Sequence, residues 1–192
     1  MSPTLKLPDD LTVAEFREWC PEDGQRWQLV DGEPVSLASV PDARGRLLAE
    51  AGRLLANHLE RIGSPCVVST TPGIVPHANA RHNVRVPDIG VSCAPPAANQ
   101  LETRDPVLLV EILSHGNARQ TRANVWAYTT IPALREILVL HQDERKAELL
   151  RRAADGTWPK EPEIMIEGDL ALDSIGFRAP LAALYRTTAL AG

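Results

Sequence analysis

At 192 residues, with 44% hydrophobic and 23% charged side chains, the chain can bury one sizeable core and has an ordinary globular composition. Its net charge of −5 excludes a surface coated in basic residues for nucleic acid, so any contact with a polyanion has to be local. No apolar run approaches the roughly 20 residues that a membrane-spanning helix needs, so no membrane association is expected.

The start, Met1-Ser2-Pro3-Thr4-Leu5-Lys6, lacks the basic and apolar regions of a signal peptide, which predicts a cytoplasmic protein. Thr12-Val13-Ala14-Glu15 reads as a capping box that opens a short helix ending near Cys20-Pro21. Residues 26–30 and 33–37 flank Asp31-Gly32, the signal of a two-residue hairpin, and Pro34 pushes the second strand toward an edge. Leu47, Leu48, Ala51, Leu54, Leu55, His58, Leu59 and Ile62 recur at helical spacing and predict a long helix over about 46–62, closed by Gly63. Strands follow over 66–70 and 84–92, around a turn-rich stretch at 72–81. Residues 94–106 contain three prolines and read as a loop.

Residues 107–113 form a strand, and 118–129 a helix with Ala118, Thr121, Val125 and Tyr128 as its inward stripe. Residues 135–141 and 146–152 are two strands around a turn, 164–166 is a short strand, and 180–185 a short terminal helix. The order predicts one mixed α/β or α+β domain over 1–192. Cys20, Cys66 and Cys93 are widely spaced and odd in number, which reads as reduced, buried thiols.

Two carboxylates carry the chemistry. Asp88 ends Val84-Arg85-Val86-Pro87-Asp88, and Glu111 lies inside Val107-Leu108-Leu109-Val110-Glu111-Ile112-Leu113. A carboxylate in a buried strand is costly unless it is paired or binds a metal. If the two strands are neighbours, both side chains converge on one hard cation. Mg²⁺ is held by one or two carboxylates plus water and substrate phosphate, which points to phosphodiester hydrolysis.

Three blocks carry a resemblance: Arg26 to Glu33, Val84 to Val91, and Leu109 to Ser114, followed by Glu136-Ile137-Leu138-Val139 after Ile131-Pro132. In order and spacing they resemble the bacterial Uma-two family of assigned endonucleases, also catalogued as a domain of unknown function, over about 12–185. That family looks like a branch of the PD-(D/E)XK nuclease superfamily. The resemblance implies a restriction-endonuclease-like central mixed sheet flanked by helices, with an N-terminal hairpin. It also implies an Asp, a Glu and a Lys around Mg²⁺ or Mn²⁺.

Asp88 and Glu111 match the two acidic positions, and Ile112 would contribute its backbone carbonyl to the metal. The superfamily lysine two residues after the Glu is Leu113 here. The family's helix-borne lysine, four residues before a Tyr, falls on Asn124. A His that precedes the family's long helix corresponds to Arg44, and the Glu of its first hairpin strand to Gln28. The acidic pair is retained while its polar companions have changed.

Each site residue has a structural alternative. Asp88 could be a turn former after Pro87, and Glu111 could pair with Arg119 or Arg122. Those two arginines are either solvated helix surface or phosphate contacts. His115, beside Ser114, is a candidate substrate or acid–base group. Glu50 is a helix charge or lies behind the metal ligands. His58 is a hydrogen-bonded core histidine, and the tryptophans belong to core or interface.

The leading expectation is a metal-dependent endonuclease acting on nucleic acid, with catalysis altered by the missing lysine, and an Asn124→Lys change is expected to raise cleavage. The alternatives are a non-catalytic nucleic-acid-binding or regulatory module, or hydrolysis of another phosphorylated substrate. A small acidic domain without accessory binding elements is expected to form homo-oligomers.

Overall fold

The computed structural model describes residues 8–19, 25–37, 42–95, 97 and 101–191. At the N-terminus Thr12 and Glu15 form the expected reciprocal capping box on α1 (Val13–Glu18). Cys20-Pro21, its expected end, lies outside the described residues. Strands β1 (Trp27–Val30) and β2 (Glu33–Ser36) pair antiparallel. Their turn places Asp31 at φ 48° and Gly32 at φ 88°, the doubly positive conformation that an Asp-Gly hairpin turn supplies.

The long helix α2 (Asp42–Arg61) begins four residues earlier than its periodicity suggests. It buries Leu47, Ala51, Leu55 and Leu59, one apolar stripe at four-residue spacing. Six strands form the central sheet in the order β3 (Val67–Thr70), β4 (Ile89–Ser92), β5 (Pro106–Leu113), β6 (Glu136–His141), β7 (Ala147–Arg151), β8 (Glu163–Met165). Only β5 and β6 run parallel, and α3 (Ala118–Tyr128) makes the crossover between them. The remaining pairings are antiparallel, so the sheet is mixed.

Both faces of β4 to β7 are covered, which is why these strands read as continuous apolar runs. On one face Ile89, Val91, Leu108, Val110 and Ile112 pack with α2 and the C-terminal elements. On the other, Leu109, Ile137 and Val139 pack with Val125 and Tyr128 of α3. By strand alternation Glu111 therefore points to the α3 side.

Four readings of the sequence are corrected. Residues 84–92 are not one strand: Val84 bridges Leu29, tying the hairpin to the body, Arg85 bridges Ile74, and β4 starts only at Ile89. Pro106 opens β5 rather than closing a loop, a position where its missing N–H costs no ladder bond. An additional hairpin, β9 (Asp169–Leu172) with β10 (Phe177–Pro180), precedes α4 (Leu181–Leu184) and caps the α2-side core through Leu170, Leu172 and Phe177. Cys66 and Cys93 are joined in a disulfide instead of standing as reduced thiols. Val67 pairs with Ser92, so the residues just outside β3 and β4 face each other and their thiols meet. Cys20 lies outside the described residues.

Candidate active site

The two carboxylates meet because of strand register. Ile89 pairs with Val110 across β4 and β5, so Asp88, one residue before, stands opposite Glu111, one residue after. Side chains at directly opposed positions share a face, and both line one cavity of about 170 Å³. Arg26, Arg44, Thr71 and Asn124 also line it. Asp88 is 5% exposed and Glu111 2%.

Asp88 is held from two sides. Its Oδ2 accepts the backbone N–H of Ile112 at 2.6 Å. The Arg44 guanidinium, from the first turn of α2, donates Nη2 to both oxygens at 2.8 Å and Nε to Oδ1 at 3.1 Å. A fork of this kind is the strongest geometry available between arginine and a carboxylate.

Glu111 is in a different position. Its Oε1 accepts the Tyr128 hydroxyl at 2.8 Å and Asn124 Nδ2 at 3.2 Å. Burial, and then the negative charge of Asp88 beside it, push its carboxyl pKa up to about 8. Burial also raises the Tyr128 hydroxyl well above its ordinary value, with Glu111 adding to the effect, so Tyr128 acts as a neutral donor.

Behind Glu111 lies a buried polar network. Arg85 Nη1 donates to Asn124 Oδ1 at 3.2 Å, which turns the Asn124 amide so that its NH₂ faces Glu111. Gln28 exchanges bonds of 3.4 Å with Asn124, and its Oε1 also accepts from Val86 N. Arg85 is 5% exposed, and its Nε is buried with no hydrogen-bond partner. Burial lowers its pKa. A guanidinium thus sits beside Asn124, the position to which the resemblance assigns a lysine.

Thr71 adds local strain. Its φ is 50°, unusual for a β-branched residue, and its N–H donates to the Asp88 carbonyl at 2.8 Å. The turn that ends β3 is therefore tied to the segment carrying Asp88.

Of the residues expected at the site, Asp88, Glu111 and Asn124 come together. Ile112 joins them through its backbone: its N–H holds Asp88, while its carbonyl accepts Asn117 Nδ2 at 3.0 Å. The others stand elsewhere. Arg122 forms a forked ion pair with Glu148 and lines another cavity with Trp126 and Trp158. The His115 side chain is 96% exposed and bonds Asp143 at 3.0 Å. Arg119 is exposed in the first turn of α3.

Glu50 is bound by Arg53 and Arg186, so it ties α2 to the C-terminal segment rather than serving the site. His58 is a core histidine bonded to the Ile175 carbonyl at 2.9 Å. Trp126, expected in core or interface, is 76% exposed.

The donor set fits a hard divalent cation. Both hydrogen bonds to Glu111 among the described residues fall on Oε1, which leaves Oε2 able to coordinate. A guanidinium already stands in as a cation on Asp88. Among the described residues no group of three or more His, Cys, Asp or Glu converges on one point. The arrangement therefore matches an ion held by two carboxylates and completed by water or substrate oxygen, as is usual for Mg²⁺.

Comparison with known proteins agrees with this architecture. Residues 13–175 match the family model Uma2, described as "Putative restriction endonuclease". The fold is similar to a crystal structure titled as that of "a putative nuclease belonging to DUF820" from Anabaena variabilis ATCC 29413. The TM-score is 0.71 at 15% sequence identity, covering 91% of this chain and 97% of that one. No curated protein matches the chain. Because the family model spans most of its length, the chain belongs to the Uma2 family.

Proposed function

We propose that this Uma2-family chain is a divalent-metal-dependent endonuclease that hydrolyses phosphodiester bonds of nucleic acid. Asp88 and Glu111 would hold Mg²⁺ or Mn²⁺. The observation that carries the reading is the opposition of Asp88 and Glu111 across β4 and β5, on the wall of one cavity. Such an ion, when bound, polarises the scissile phosphate and lowers the pKa of an attacking water.

The chain's own groups then have distinct roles. The Ile112 N–H fixes Asp88. Tyr128 and Asn124 fix Glu111, and Arg85 fixes the Asn124 amide. Asn124 is thus a positioning residue, and the positive charge expected of a lysine there is supplied by Arg85 behind it. Arg26 and Arg44 line the cavity and would neutralise a phosphate in it. Arg119, exposed at the start of α3, is retained as an outer phosphate contact. The working unit is a single domain in the cytoplasm, and pairing of two copies would enlarge the footprint on nucleic acid.

The test is cleavage of single- and double-stranded DNA and RNA with Mg²⁺, Mn²⁺ or chelator, using Asp88→Asn and Glu111→Gln as controls. Metal-dependent cleavage lost in both variants supports the reading; cleavage that survives both, or proceeds in chelator, refutes it. A second reading is a non-catalytic nucleic-acid-binding module. It is favoured by Arg44, which occupies both Asp88 oxygens. Tight binding with no cleavage in either metal would select it.

A further inference from the structure

Asp88 receives two kinds of donor. The Ile112 N–H belongs to the middle of the sheet and cannot leave. Arg44 reaches in from the other layer by a long side chain that is 19% exposed, where the Asp88 side chain is 6% exposed. Among the described residues Arg44 is the only donor on Oδ1. A divalent cation shared by Asp88 and Glu111 would meet this guanidinium at once. Arginine cannot shed its charge to make room, so the side chain has to move.

What could receive it is set by chemistry. The guanidinium fork matches a phosphate as well as it matches a carboxylate. A phosphodiester entering the cavity would bring such a group beside Arg44 and Arg26. We infer that Arg44 is an exchanging counter-ion: it closes Asp88 to the divalent cation until a nucleic-acid phosphate draws the guanidinium away. Metal and nucleic acid then bind with positive coupling through this one side chain. The inference rests on the metal-dependent nuclease reading above.

Linkage makes the coupling measurable from either ligand. Ca²⁺ binding to the full chain is titrated calorimetrically, alone and with a short DNA duplex or a single-stranded RNA. The wild type, Arg44→Gln, Arg44→Lys and the Asp88→Asn/Glu111→Gln double variant are compared. In the wild type, nucleic acid should tighten Ca²⁺ binding by about tenfold, within the usual range of such couplings. Arg44→Gln should bind Ca²⁺ about tenfold tighter than wild type without nucleic acid, a change of about 1.4 kcal/mol. Its further tightening by nucleic acid should be lost.

Arg44→Lys keeps the charge but not the fork, so it should fall between the two, and it serves if the Gln variant does not fold. Equal Ca²⁺ affinity in wild type and both Arg44 variants overturns the inference. So does wild-type binding that neither nucleic acid tightens. In both cases the metal site itself survives, provided that the double variant abolishes binding. If no chain binds Ca²⁺, or if the double variant binds as the wild type does, the metal reading fails and takes the inference with it.

Discussion

Glu111→Gln should stabilise the metal-free protein at alkaline pH and leave it almost unchanged in acid. The carboxyl is buried, and its pKa is pushed from 4.5 to about 8 by burial and by Asp88. The unfolded chain therefore releases its proton at lower pH than the folded chain does. Between those values the native state binds more protons, so stability falls as pH rises from about 4.5 through 8. At about 1.4 kcal/mol for each tenfold change in proton affinity, the upper limit of the loss is about 5 kcal/mol. Relaxation of the pocket and entry of water bring the expected value to about 2–3 kcal/mol.

Glutamine removes the charge and keeps the contacts, because Tyr128 and Asn124 both donate to the oxygen it retains. Urea denaturation in chelator at pH 4 and pH 8.5 measures the difference. The two proteins should match within about 0.5 kcal/mol at pH 4, where Glu111 is neutral folded and largely so unfolded. The variant should lead by about 2–3 kcal/mol at pH 8.5. Mn²⁺ at pH 8.5 should stabilise the wild type and not the variant. A Gln variant destabilised equally at both pH values would refute the reasoning, since it would mean that Glu111 is ionised and satisfied in the metal-free fold.

Asn124→Lys, expected from the sequence to raise cleavage, should fail alone. It places a second cation against Arg85, and two unit charges about 4 Å apart repel by about 4 kcal/mol at an intermediate dielectric. Combined with Arg85→Met it should regain most of that stability in urea melts and raise Mn²⁺-dependent cleavage by about 10²-fold. A single variant that is both stable and faster would contradict this. Thr71→Gly should raise the melting temperature by about 2–4 °C, the net of released strain and added chain entropy, and a lower value would show that φ of 50° is not strained here. Sedimentation equilibrium at tens of micromolar should detect self-association, and a strictly monomeric profile would remove the paired-site arrangement.

The acidic pair was legible because each carboxylate interrupts an apolar β run, a costly pattern that needs a purpose. The helices were legible from their period, with α2 mistaken only at its polar first turn. Arg44 was visible as a position but not as a partner, because an ion pair spanning 44 residues leaves no local trace. Arg85 was hidden in what read as a strand. Residues 84 and 85 instead make single bridges to Leu29 and Ile74, and this frees the arginine to reach α3. Asn124 read as a polar flank, yet it is buried, since Gln28, Arg85 and Glu111 satisfy its amide. The β9–β10 hairpin escaped because its four-residue strands, unlike the equally short β1 and β2, flank no Asp-Gly turn signal.

The Cys66–Cys93 link turns the segment that delivers Asp88 into a closed ring. The bridged residues are 27 apart, and between them the chain leaves β3, passes the Thr71 turn, touches the hairpin through Val84, and returns as Asp88 into β4. Closing a ring of that size removes about 3–4 kcal/mol of chain entropy from the unfolded ensemble on the loop-closure account. More locally, it limits how far β3 can peel from β4, and so keeps the Thr71 turn, whose N–H donates to the Asp88 carbonyl, against the segment that carries Asp88. With the thiols reduced, β3 stays on β4 through four cross-strand residue pairs at the edge of the sheet. The thiol state thereby sets how firmly the turn that braces the Asp88 backbone is held before any ligand arrives.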